Sequence, residues 1–208
     1  MENYIQNVAN VASASELCSL ICSIGLFNDD RGIYGEYGAF MRAPGQGGLW
    51  QNPMELATFL WDSKELFSQV KSYLDIGTFT GFTTFVIVEF LRAHVSRDIR
   101  VKTIDPNIHF SGQDTERYIR PYFTQGTVDD LEEGEEYDLV FIDGFHEEPG
   151  PSHDFDSVKK FAKFVFFHDI TDQYCPYVVE TFDRLSSQYE SRRICLTPGV
   201  FGIGLIKL

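Results

Sequence analysis

The sequence predicts an α/β fold: a Rossmann-like, doubly wound, mostly parallel seven-stranded sheet with a C-terminal antiparallel hairpin strand, preceded by an N-terminal helical and loop cap. Three observations predict it. From residue 71 onward, short apolar segments alternate with amphipathic ones, and strands alternating with helices imply a parallel sheet with helices on both faces. Runs such as Phe164-Val165-Phe166-Phe167 suit strands buried on both faces. Finally, the segments 189–196 and 200–207 are joined only by Thr197-Pro198-Gly199. That is too short for a crossover helix, so the two pair as a hairpin and one terminal strand runs against the rest.

Taken in order, residues 4–25 carry Ile5, Val8, Val11, Leu17, Leu20 and Ile21 at approximately helical spacing and predict one helix. Residues 26–49 are turn-rich, with Tyr34, Tyr37, Phe40 and Met41 among glycines, and Trp50 follows them. They read either as a lid over a pocket or as packing for the first helix. Asn52-Pro53 supplies an N-cap and a proline at the first helical position of a helix running to about Leu66. Strands follow at 71–76, 99–104, 121–125, 137–142 and 163–167, with helices at 82–95, 112–120, 152–162 and 174–187. The organisation expected is a segment 1–49 holding helix and lid, then one compact domain over 50–208.

Composition narrows the function classes. The 208 residues carry a formal net charge of −14 with no clustered Lys or Arg beyond Lys159-Lys160 and Arg192-Arg193. A nucleic-acid groove draws most of its affinity from clustered cations, so no nucleic-acid partner is expected. No stretch approaches the ~20 apolar residues of a membrane span, so no membrane partner is expected either. The start, Met1-Glu2-Asn3, lacks a basic region before an apolar run. With Cys18, Cys22, Cys175 and Cys195 too scattered for a disulfide framework, a reducing cytoplasmic setting is the default expectation and the cysteines read as core or partly buried thiols.

In open α/β sheets, ligands bind beyond the carboxyl ends of the strands. The polar residues there are Asp75 and Gly77, Asp105, Asp143 and His146, and His168 and Asp169. Gly77 and Gly81 let the chain turn sharply, and Thr83 and Thr84 stand where hydroxyls can cap the next helix. The loop has G-x-x-x-G, not the dinucleotide G-x-G-x-x-G, which suits a ligand with an adenosine but no phosphates. Asp105, 30 positions after Asp75, can accept both hydrogen bonds of a ribose diol. An ordinary glycine-rich turn and a turn aspartate before Pro106 are the bland readings of the same residues.

Leu74-Asp75-Ile76-Gly77-Thr78-Phe79-Thr80-Gly81 resembles the first motif of class I S-adenosylmethionine-dependent methyltransferases, and Thr103-Ile104-Asp105-Pro106 resembles their ribose-binding motif. Tyr137 through Asp143-Gly144-Phe145-His146, then Asp154, then Phe167-His168-Asp169-Ile170 and Gly202-Ile203-Gly204 are similar to one subset, small-molecule O-methyltransferases related to sugar-modifying enzymes and the cephalosporin hydroxylase group. Gln51-Asn52-Pro53 sits where such proteins start a helix facing the cofactor, and the resemblance covers roughly residues 49–207. The chain departs from the subset at Phe161-Ala162-Lys163 in place of Gly-Gly, and at Gly126-Thr127-Val128, where the usual polar adenine contact is reduced to Thr127.

The resemblance implies S-adenosylmethionine bound by Gln51, Asp75, Gly77, Thr78, Gly81, Thr83, Asp105, Thr127 and Asp143. It implies a small-molecule acceptor and leaves room for a homo-oligomer. Asp143, His146, His168 and Asp169 are the expected catalytic residues. Two chemistries stay open: Mg²⁺ held by Asp143 and Asp169 beside the imidazoles, or metal-free general-base catalysis by His146 oriented by Asp143. The alternative to an enzyme is a methyltransferase-like protein that is inactive or repurposed for binding.

Overall fold

A computed structural model describes residues 1–24, 49–110, 113–196 and 199–208. The lid residues Tyr34, Tyr37, Phe40 and Met41 lie outside the described residues. The chain divides into two compact units, one of residues 1–68, 79–97 and 109–121, the other of residues 69–78, 98–108 and 122–208.

The first unit is helical. Its start corrects the single helix expected over 4–25: α1 spans Glu2–Asn7, a 3₁₀ turn spans Val8–Asn10, and α2 spans Ala14–Ser23. Ser13 causes the break. Its hydroxyl accepts from the Glu16 amide at 3.1 Å, and the Glu16 carboxylate accepts in turn from the Ala12 amide at 2.8 Å. A serine that satisfies the free amides of a new helix competes with continuation of the old one, and apolar spacing does not register that competition.

Helix α3, Pro53–Ser63, begins as the sequence predicts, the Asn52 carboxamide accepting from Met54 N at 2.9 Å and Glu55 N at 3.3 Å. Helix α4, Phe82–His94, has Gly81 as its N-cap, in the left-handed region. Added side-chain bulk at Gly81 would come 2.7 Å from Ile119 on α5, Gln113–Ile119. Within this unit Tyr4 donates to the Val86 carbonyl at 3.2 Å and packs on Phe85, while Glu89 accepts from both Arg92 and Tyr118.

The second unit is the sheet. Its strands are β1 (Ser72–Ile76), β2 (Arg100–Asp105), β3 (Phe123–Gln125), β4 (Leu139–Ile142), β5 (Phe164–Phe167), β6 (Glu190–Ile194) and β7 (Ile203–Lys207). All seven strands expected from sequence are present. Their order is β3-β2-β1-β4-β5-β7-β6, with β7 antiparallel to both its neighbours and the other pairs parallel. This is the Rossmann-like sheet of methyltransferases. Two-residue periodicity divides it into faces. Leu74, Ile76, Val140, Ile142, Val165 and Phe167 join Phe155 and Val158 of α6 (Gly150–Val158) and Val178 and Phe182 of α7 (Pro176–Ser186) in one buried cluster. The opposite face carries Tyr73, Phe141 and Phe166, with Phe141 and Phe166 stacked at 4.4 Å. The strand order reverses beside β1, where β2 and β4 lie on either side, and their carboxyl ends carry the polar residues of interest.

Candidate active site

Asp75 shares the face of Tyr73 because the two are separated by one residue of extended chain. The Tyr73 hydroxyl donates to its Oδ2 at 3.1 Å. Burial first, and the charge of Asp75 second, push the Tyr73 phenol well above its ordinary range. Tyr73 therefore stays a neutral donor that orients the Asp75 carboxylate. Gly77 has φ +97° and donates its amide to the Ile104 carbonyl at 2.9 Å. A Cβ there would lie 2.1 Å from the Asp143 carbonyl oxygen. The glycine is thus required by the crossing of two strand exits, a reason that the loop motif does not state. The Thr78 hydroxyl is hydrogen-bonded to that of Thr103.

At the end of β2, Asp105 Oδ1 accepts from the Asn107 amide at 2.8 Å, an aspartate turn around Pro106 that fixes the carboxylate at the strand tip. Thr127 follows β3 and sits in a capping box with Asp130: its hydroxyl accepts from Asp129 N at 3.3 Å, and Asp130 accepts from Thr127 N at 2.9 Å. In the helical unit Gln51 is 1% exposed and accepts from the Thr83 hydroxyl. The Thr83 hydroxyl is therefore engaged in holding Gln51.

The tips of β4 and β5 bring all four expected catalytic residues together. His146 Nε2 lies 3.4 Å from Asp143 Oδ1 and 3.6 Å from Asp169 Oδ2. His168 Nδ1 lies 3.4 Å from Asp143 Oδ1 and 3.1 Å from Asp169 Oδ1. Two carboxylates therefore face the same two imidazoles. Asp169 has φ +60°, a left-handed conformation that aspartate tolerates better than most residues and that directs its carboxylate into the group. Among the described residues the other ring nitrogen of His168 is buried without a hydrogen-bond partner, so Nδ1, between the carboxylates, carries a proton whether the ring is neutral or charged.

Electrostatics follow from this packing. Burial opposes the charge of Asp143, but His168 and His146 outweigh it and hold the carboxyl down at about 2. Burial likewise opposes charge on His146, yet Asp143, Cys175 and Asp169 push it up to about 11. For His168 burial is again opposed by Asp169 and Asp143, which raise it to about 10. The cluster is held together by mutual charge compensation.

Sequence reading missed one participant. Cys175, a buried thiol as expected of the cysteines, places Sγ 3.6 Å from His146 Nδ1 and 3.7 Å from Asp169 Oδ2. Its position just before the Pro176 start of the helix that follows β5 was the available signal, since that is the carboxyl end of the sheet. The other three histidines of the sequence lie apart from this cluster: His94 bonds the Val8 carbonyl, His109 packs on Phe79, and His153 meets Asp129.

Comparison with known proteins bears on this arrangement. Residues 74–170, from β1 to just past Asp169, match the family model described as a methyltransferase domain. Sheet order and match agree on the fold: the Rossmann-like architecture of methyltransferases. Among solved structures the chain resembles the O-methyltransferase TomG of Streptomyces achromogenes, involved in tomaymycin synthesis and solved with S-adenosylmethionine, at 16% identity and a TM-score of 0.57, covering 95% of this chain and 99% of that one. It also resembles the Bacillus cereus O-methyltransferase solved with S-adenosylhomocysteine, at 12% identity and a TM-score of 0.55, covering 98% and 96%. These likenesses are of fold. No curated protein matches the chain.

Proposed function

We propose that this protein transfers the methyl group of S-adenosylmethionine to a hydroxyl of a small molecule, and that Asp143, His146, His168 and Asp169 act on the acceptor. The observation that carries the reading is the pairing of two carboxylates with two imidazoles at adjacent strand tips, His146 being 37% exposed and Asp169 8%. The relatives in which this fold handles S-adenosylmethionine or S-adenosylhomocysteine support it, as does the family match.

The donor set fits an adenosyl ligand. Asp75 and Asp105 are nearly buried carboxylates on neighbouring strand tips, suited to the amino group and the ribose diol of an adenosyl amino acid. The assignment of Gln51, Gly77, Thr78, Gly81, Thr83, Thr127 and Asp143 to the same ligand rests on the motif resemblance, as does the reading of 50–208 as the transferase domain.

Methyl transfer is an in-line displacement, so positioning and charge management dominate. A general base must be unprotonated, and a His146 held at about 11 is an imidazolium at neutral pH. It therefore serves better as a hydrogen-bond donor to the acceptor oxygen, with the hydroxyl proton passing to the Asp169 carboxylate or to solvent. The carboxylates Asp143 and Asp169 also fit Mg²⁺, which takes oxygen ligands and keeps several waters; when bound, such an ion lowers the pKa of an acceptor hydroxyl. Either cation would neutralise the same pair of carboxylates.

The test is a thermal-shift series with S-adenosylmethionine and S-adenosylhomocysteine, with and without Mg²⁺, followed by methyl transfer to a panel of phenols and sugars. Stabilisation by both adenosyl ligands with turnover supports the proposal. Stabilisation without turnover on any acceptor favours a repurposed binding protein, and no stabilisation overturns both.

A further inference from the structure

Asp169 divides its carboxylate between two donor sets. Oδ1 faces His168 and Asp143, while Oδ2 lies 3.6 Å from His146 Nε2 and 3.7 Å from Cys175 Sγ. Cys175 Sγ is itself 3.6 Å from His146 Nδ1. Among the described residues, ligand atoms of His146, Asp169 and Cys175 all fall within 4.8 Å of one another. Around a tetrahedral ion with bonds of about 2.0–2.3 Å, neighbouring ligand atoms are separated by roughly 3.3–3.6 Å. Asp169 Oδ2 and Cys175 Sγ stand close to that spacing; they approach His146 at its two different ring nitrogens, so the partly exposed ring must turn to present one nitrogen to both.

We infer that His146, Asp169 and Cys175 form a site for a thiophilic divalent transition ion of the Zn²⁺ class, with one coordination position left open. Thiolate and imidazole select such ions, whereas Mg²⁺ takes oxygen. Three protein ligands and an open position are the composition of a reactive zinc site, in contrast to the closed four-ligand structural kind. The exposed edge of His146, 37% accessible, provides the entry path. A core-thiol role explains Cys175 less well, because its sulfur faces an imidazole and a carboxylate. The inference does not rest on the transferase reading, since the donors alone define it.

Cobalt reports thiolate ligation directly. The full-length chain, stripped of metal and carrying Cys18→Ser and Cys22→Ser to remove the other close thiol pair (4.0 Å apart), is titrated with Co²⁺. The expected result is a thiolate-to-cobalt charge-transfer band that saturates at about one ion per chain, as one shared set of three ligands requires. Zn²⁺ should displace it and excess Mg²⁺ should not. Cys175→Ser and His146→Gln should each abolish the band and weaken Zn²⁺ at least about a hundredfold, since loss of a ligand exceeds loss of an outer partner. Cys195→Ser should leave it unchanged. No band in the parent, or a band that survives both ligand variants, overturns the site. If Cys175→Ser does not fold by circular dichroism, His146→Gln decides alone. No adenosyl ligand or acceptor is present, so failure here leaves the transferase proposal standing, and failure of the thermal-shift series leaves this one standing.

Discussion

Gly77 and Asp143 are in backbone contact: a Cβ on Gly77 would sit 2.1 Å from the Asp143 carbonyl oxygen, with the Gly77 backbone at φ +97°. The exits of β1 and β4 cross there, and Asp143 N donates to the Ile76 carbonyl at 2.9 Å to close the crossing. The turn at Gly77 after β1 and the tip of β4 at Asp143 are therefore one structural unit.

Gly77→Ala should accordingly destabilise the protein by more than about 2 kcal/mol, because left-handed strain and a clash with rigid backbone add. Urea unfolding measures it. A loss below about 0.5 kcal/mol, the level of an ordinary surface change, would show that the strand exits separate without cost.

Asp105→Ala should lower S-adenosylhomocysteine affinity roughly tenfold to a hundredfold, the worth of hydrogen bonds to a charged acceptor. Calorimetry on wild type and variant checks this. Equal affinity would remove Asp105 from the ribose site and assign it a structural role such as its turn with Asn107.

The charge cluster makes stability depend on pH in a defined direction. His146 and His168 are raised to about 11 and about 10, above the ~6.5 of an unfolded histidine. Their stabilisation is complete below pH ~6.5 and is lost as pH climbs through those folded values. Asp143, held at about 2 against ~3.9 unfolded, contributes above pH ~3.9 and fails as pH falls toward its folded value. The urea midpoint should thus be highest between about pH 4 and 6.5 and decline toward pH 10. In His146→Gln/His168→Gln the alkaline decline should flatten; an unchanged slope would mean that the imidazoles are not charged in the native state.

Asp154 behaves oppositely. It is 8% exposed, beside Gly144, and burial raises it to about 6 despite the nearby His153. Folding then favours its neutral form, so a penalty grows as pH rises from ~3.9 to its folded value and stays constant above. Asp154→Asn should stabilise the protein by about 1–3 kcal/mol near pH 7.5, with little gain at pH 4. Denaturation at the two pH values tests it, and equal effects at both would show that ionisation is not the cause.

Sequence alone determined the alternation of strands and helices, the terminal hairpin and the carboxylates at the strand tips. Each is a local property: apolar periodicity, loop length and position within an extended run require no knowledge of distant chain. The Asn52-Pro53 helix start was legible for the same reason, and the break at Ser13 was missed because a capping hydroxyl and an apolar stripe give opposite local signals. Tertiary structure decided the rest. Only the order β3-β2-β1-β4-β5-β7-β6 sets β4 beside β5, brings His146 between Asp143 and Asp169, and carries Cys175, 29 residues further along, to its imidazole. The role of Gly77 was likewise invisible, since the atom that forbids its side chain belongs to a strand more than sixty residues away. Distances between residues remote in sequence are fixed by how strands pair, and pairing is a property of the whole sheet.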